Sequence, residues 1–336
     1  IIYDSKEDLY PGEAEKDNDV TEETSAATEK ATETKVTEPP VTAPKVIEPK
    51  VTEPPVTAPK VTEPKVTEPA APAPKVTEPA APAVPDVITI GGKSYKTNMT
   101  GTLDLSGKGL KNKDIADLKY MTKLSEIIIS DNSLTDLSTL SGLTQLEKLT
   151  YHNNNVSDLS FAKNLTKLKV IGAENNGITD LSPLSGMSGL EEIWLQNNNI
   201  SDMSPLKKCT KVNSLSLSGN PIKDCSAASV MKNIRNLHLY GCGLKSLEPF
   251  KGCTKLEYVY VGDNQITDLT PLCGNSGLIE LNAQNNKLNG NYNALKGLTV
   301  LKWLDISGNG FNDPDELYEV MCYDIFSDDD GFAYVN

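Results

Sequence analysis

LEEIWLQNNNISDMSPLKKCTK, residues 190–211, is one period of a pattern that repeats every 22 residues along most of the chain. Its first leucine belongs to the column Leu124, Leu146, Leu168, Leu190, Val212, Ile234, Leu256 and Leu278, and after one inserted residue Leu301. Ile193 and Leu195 open two further apolar columns, three and five residues on. The resulting L-x-x-L-x-L spacing is that of a short strand whose alternate side chains point inward. Self-similarity at a fixed period of 20–50 residues marks a stacked array in which each unit buries its apolar face on the next.

The column after the strand is Asn132, Asn154, Asn176, Asn198, Asn220, Cys242, Asn264, Asn286 and Asn309. A chain turning sharply over a core leaves backbone donors and acceptors buried, and an inward carboxamide answers both kinds. The outer side then carries apolar residues at every third position, as in Leu181, Leu184 and Met187, which suits short 3₁₀ turns better than a full helix.

These repeats, among them LEYVYVGDNQITDLTPLCGNSG at 256–277, resemble the 22-residue leucine-rich repeats of bacterial, internalin-like surface proteins. The resemblance runs through nine units over residues 124–311. It implies an α/β solenoid, a leucine-rich-repeat horseshoe or right-handed superhelix. The parallel β-sheet would lie on the concave face and 3₁₀ or irregular turns on the convex face. Residues 87–123 are similar to the lead-in that such proteins carry. Leu103, Leu105 and Leu110 there form a partial first repeat, and Lys108 stands where an asparagine would be, as befits an end unit with no preceding neighbour. Residues 312–336, rich in Asp and Glu, read as the closing cap.

Ahead of the repeats the chemistry differs. Residues 1–34 are polar and acidic and read as a disordered leader; residues 35–86 repeat motifs such as KVTEP and form a stalk. Fifteen of the 21 prolines lie in the first 85 residues, which favours extended polyproline II at ~3.1 Å per residue and a reach on the order of 150 Å. Residues 1–86 carry 18 acids and 9 lysines, so −9 of the net charge of −14 sits outside the repeats. An acidic balance opposes nucleic-acid binding, which needs a basic footprint. No apolar run is long enough to cross a bilayer. The chain begins at Ile1, which suggests trimming, and an anchor upstream is expected to be the membrane attachment.

Catalytic and metal-binding patterns fare poorly. Asp136, Asp158, Asp180, Asp202, Asp224 and Asp268 recur in register, and a short acidic side chain opening a turn accepts backbone N–H groups without any cation. Asp328, Asp329, Asp330 and Gly331 lack the alternating ligand spacing of a calcium loop. The six cysteines include no C-x-x-C. Cys209 and Cys253 share a column two repeats apart, roughly 10 Å, too far for a disulfide. Buried thiols are expected at Cys209, Cys225, Cys242 and Cys253. His152 and His238 lie four repeats apart, about 19 Å, and cannot share one site. No enzyme, cofactor or metal is expected.

The outward positions of the strands hold the functional signal. Both tryptophans and both histidines of the chain fall there, together with Tyr240, Tyr258 and Tyr260. Aromatic side chains are enriched where partners dock. The expected site centres on Trp194, His238, Tyr240, Tyr258 and Tyr260, with Glu174 and Glu192 as a polar rim and Trp303 beyond. The expected function is that of a monomeric cell-surface module binding a protein through its concave face. The rival is a carbohydrate-binding module using the same strip, since aromatic faces with Asn, Gln and Glu edges also suit sugars.

Overall fold

The computed structural model describes residues 84–289 and 292–310 and a short strand at Phe332–Tyr334. Residues 1–83, which hold the expected leader and nearly all of the expected stalk, most of the expected closing cap with the acidic run at 328–331, and Cys322 lie outside the described residues.

Each 22-residue unit delivers one short strand and one 3₁₀ turn. The strands are β1 (Val87–Ile90), β2 (Lys93–Lys96), β3 (Gly101–Asp104), β4 (Leu124–Ile128), β5 (Lys148–Thr150) and β6 (Val170–Gly172). They continue as β7 (Glu192–Trp194), β8 (Ser214–Ser216), β9 (Asn236–His238), β10 (Tyr258–Tyr260), β11 (Glu280–Asn282), β12 (Trp303–Asp305) and β13 (Phe332–Tyr334). β3 through β13 form one sheet in strict chain order, every neighbour parallel. The fold is thus the leucine-rich-repeat solenoid expected, with 3₁₀ turns such as Ser182–Leu184 and Ser204–Lys208 closing each coil.

Register explains why the columns are so regular. Glu192 pairs with Ser214 and Trp194 with Ser216, so residues 22 apart sit side by side. The extra residue of the last full repeat does not disturb this, because Glu280 still pairs with Trp303. It is absorbed between Leu288 and Leu301, on the return path and away from the sheet.

The core is a single apolar column set running the length of the coil. Leu149, Ile171, Ile193, Leu215, Leu237, Val259 and Leu281 are all fully buried. The asparagine ladder performs the double task expected of it. Asn198 Oδ1 accepts from the backbone of Asn176 and Ile178, at 3.2 and 2.9 Å, while its Nδ2 donates to the carbonyls of Ala173, Leu195 and Gln196. At the first repeat, Asn132 Oδ1 serves Lys108 N and Leu110 N of the partial unit in the same way.

The aspartate column opens the turns. Asp136, Asp158, Asp180, Asp202, Asp224 and Asp268 each accept the amide two residues on, at 2.7–2.8 Å. The Ser160 and Ser182 hydroxyls also donate to Asp158 and Asp180 and hold these carboxyls below the usual range. Among the described residues, no cluster of His, Cys, Asp and Glu could hold a metal. Cys209, Cys225, Cys242 and Cys253 are free and buried, whereas Cys273 is free and exposed. Burial pushes the Cys209 thiol up to about 11 and those of Cys225 and Cys242 to about 12, so all three stay protonated and inert.

The N-terminal cap is more elaborate than a partial repeat. β1 and β2 form a separate antiparallel hairpin, with Ile88 and Ile90 buried in the common core. A 3₁₀ helix at Asn112–Tyr120 follows β3 and buries Ile115 and Leu118. Asp114 accepts the Lys111 amide at 2.8 Å and so closes the first turn of that helix.

Candidate binding face

Three outward positions per strand face away from the core, and their side chains decide what the sheet can bind. Because neighbouring strands stand ~4.8 Å apart, a large ring must lean over an adjoining row. Two glycines supply the room. A Cβ at Gly172 would come within 2.5 Å of His152 Cε1, and one at Gly262 within 2.8 Å of Tyr240 Cε2. His152 and Tyr240 therefore lie down along the sheet over the vacant positions. Tyr240 is fixed further by its hydroxyl, which accepts from Gln284 Nε2 at 3.2 Å.

The rings farther along the coil form one cluster. His238 stacks on Tyr260 with centroids 4.7 Å apart and planes 21° from parallel. Tyr260 in turn meets Trp303 at 6.2 Å, and its hydroxyl donates to Glu280 Oε2. These contacts bury Tyr260, expected at the centre of the site, to 7 % exposure. Tyr258, on the same strand, is half-buried and pairs in register with Asn236 and Glu280.

Burial also sets the charge of His238. Desolvation pushes its pKa from the ordinary 6.5 down to about 4, so the ring is neutral at pH 7. A base whose folded pKa is depressed contributes stability that is full above its unfolded pKa and lost as pH falls. Stability should therefore decline between pH ~6.5 and ~4 by about 2 kcal/mol, less than the ~3 that the full shift would give because His238 keeps some exposure. Urea midpoints measured at pH 7 and pH 4.5 test this, and His238→Gln should flatten the difference. Asp158 and Asp180 act in a lower window, since their depressed carboxyls lose their contribution only below pH ~4.

The remaining expected residues separate from that cluster. Trp194 lies on β7, two strands from His238, and its Nε1 donates to Ser214 Oγ on the neighbouring β8 at 3.3 Å. Glu192 shares β7 with it and is half-buried. Glu174 is not the solvated rim expected. Its Oε2 lies 2.8 Å from His152 Nδ1, and the two side chains are 12 % and 15 % exposed. The proposed centre is thus two groups, a ring cluster spanning β9–β12 and Trp194 with carboxylates on either side.

Sequence reasoning placed Glu280, Gln284, Ser214, Gly172 and Gly262 in the outward columns but did not name them as site residues. The signal lay in the same columns, one or two rows further on from each aromatic residue.

Comparisons with known proteins follow the repeats. The family model for leucine-rich repeats (two copies) matches residues 144–186, 166–208, 188–229 and 232–274. No curated protein matches the sequence at a significant level. Among solved structures, the internalin inlF from Listeria monocytogenes is 22 % identical, with a TM-score of 0.52 over 66 % of this chain and 76 % of that one. The functional domain of InlJ from Listeria monocytogenes, described as including a cysteine ladder, is 21 % identical at a TM-score of 0.50 over 62 % of this chain and 49 % of that one. The plant peptide hormone receptor RGFR1, solved in complex with RGF2, is 19 % identical at 0.52 over 65 % of this chain and 35 % of that one. Likeness at these identities is likeness of fold. No helix among the described residues is long and apolar enough to cross a membrane. Strand register, asparagine ladder, 3₁₀ turns and the match of the family model over residues 144–229 and 232–274 agree: the described residues form a leucine-rich-repeat solenoid, internalin-like in fold.

Proposed function

We propose that the chain acts by binding, not by catalysis, and that the sheet face from β7 to β12 docks a protein partner. The observation that carries this is the placement of its costliest side chains. Trp194, His238, Tyr240, Tyr258, Tyr260 and Trp303 occupy outward columns where serine or threonine would suffice, and hydrogen bonds hold several of them in one arrangement. Rigid aromatic side chains supply contact area at low entropic cost, and such groups dominate binding energy at protein interfaces. The fold supports the reading, since leucine-rich-repeat solenoids serve as protein-interaction modules and the receptor RGFR1 is seen holding RGF2. The proline-rich composition of residues 35–86 supports display of the solenoid away from a cell surface.

Peptide display and a glycan array, both run on the full chain, test the proposal. Peptides selected on the native chain should lose at least about 100-fold in affinity for the Trp194→Ala/Tyr260→Ala variant with its circular dichroism retained. Glycan hits that vanish in that variant, with no peptide selected, would replace the protein partner by a sugar.

A further inference from the structure

This inference rests on the assignment of the sheet face as the docking surface and names the chemistry it selects. The outward columns carry Glu126, Glu174, Glu192, Glu280 and Asp305 against a single cation, Lys148. Several of these acids are already engaged. Glu126 accepts from Thr102, Glu174 meets His152, Glu280 accepts from Tyr260, and Asp305 accepts from Ser307. Glu192 differs: no hydrogen bond or ion pair reaches its carboxylate from the described residues.

The surroundings of Glu192 contain more unmet hydrogen-bonding capacity. Glu192 and Trp194 on β7 and Gln196 in the segment that follows it alternate along the chain, so all three belong to the outward columns. Ser216, beside Trp194 in register, is only 4 % exposed, and its hydroxyl has no partner. Glu174 Oε1 and Gln196 Oε1, in adjoining repeats, are likewise buried without partners. Buried polar atoms without partners are uncommon and call for a cause. What this neighbourhood lacks is donors and positive charge.

We infer that Glu192, Trp194 and Ser216 form the seat for an arginine side chain of the partner, making the docked segment basic. A guanidinium brings a planar fork of donors for the Glu192 carboxylate, and its flat face stacks on indole. The acidic columns to either side attract the rest of a basic segment and repel a phosphate backbone.

The test is calorimetric titration of the full chain with acetyl-(Gly-Arg)4-amide and with its citrulline counterpart, which keeps the shape and removes the charge. The arginine peptide should bind at least about tenfold tighter than the citrulline peptide and shift tryptophan emission. Glu192→Gln should weaken it about tenfold, and Trp194→Phe should abolish the emission shift. Glu147→Gln, an exposed carboxylate on a turn paired with Lys169, should change affinity less than about twofold and so measures attraction to acidity at large. Equal binding of the two peptides, equal effects of Glu192→Gln and Glu147→Gln, or no binding at all would overturn the inference. If display still yields peptides sensitive to Trp194→Ala/Tyr260→Ala, the docking surface stands and only its basic partner falls.

Discussion

Asn198→Ala is expected to destabilise the solenoid by about 4 kcal/mol, read as a drop in the urea unfolding midpoint without loss of the folded spectrum at zero denaturant. Five hydrogen bonds converge on this buried carboxamide, two accepted and three donated. Alanine orphans the amides of Asn176 and Ile178 where water cannot follow, and each buried unmet group costs about 1–3 kcal/mol. The chain contains its own control. At position 242 the ladder residue is Cys, and Ile222, which would have used its oxygen, donates instead to Asn220 O at 2.8 Å. That bond spans two residues around Pro221, whose ring-fixed φ suits such a tight turn. Because Ile222 already has an acceptor, Cys242→Asn should restore only about 1 kcal/mol. A midpoint for Asn198→Ala within error of the native chain would mean that the ladder positions side chains without carrying stability.

Phe250→Ala should cost a similar amount, about 3–5 kcal/mol, for a different reason. Phe250 is fully buried in the 3₁₀ turn Glu248–Phe250, in the column Leu140, Ala162, Leu184, Leu206, Ala228, Phe250 and Leu272. The row before it holds Ala228, so a large side chain fills space that a small neighbour leaves. Truncation would set two alanines in succession. The strands fix the spacing between coils, so the turns cannot close over the void, and the cavity persists. Phe250→Leu should recover most of the loss, and a thermal or urea midpoint series through Phe, Leu and Ala reads it directly.

These two sites show how differently the sequence disclosed its parts. The asparagine column, the turn-opening aspartates and the buried strand positions were all legible, because a 22-residue period assigns each residue a column and the column fixes inward or outward. The hairpin of β1 and β2 was less so: VITIGGKSYK lies outside the period and was read only as part of a cap. Side-chain direction within the outward columns was not legible at all. Whether Tyr240 stands or lies depends on Gly262 in the next row, and whether Tyr260 is an anchor or a buried strut depends on His238, Glu280 and Trp303 together. Those are relations between rows, and a column read one residue at a time does not contain them. The same holds for Glu174, whose rim-like character disappears once His152 lies beside it.

The inserted residue between Leu288 and Leu301 carries a lesson about heredity. The strand register is maintained across it, so the sheet tolerates changes in length on its return path while demanding whole coils along its axis. Every ladder amide finds its partners in its own coil and the preceding one. A genetic crossover between two repeats therefore removes or duplicates one complete row of surface chemistry and leaves the buried bonds on both flanks satisfied. In this molecule recognition can be edited by recombination in units of one row, with the ladder hydrogen bonds on both flanks preserved.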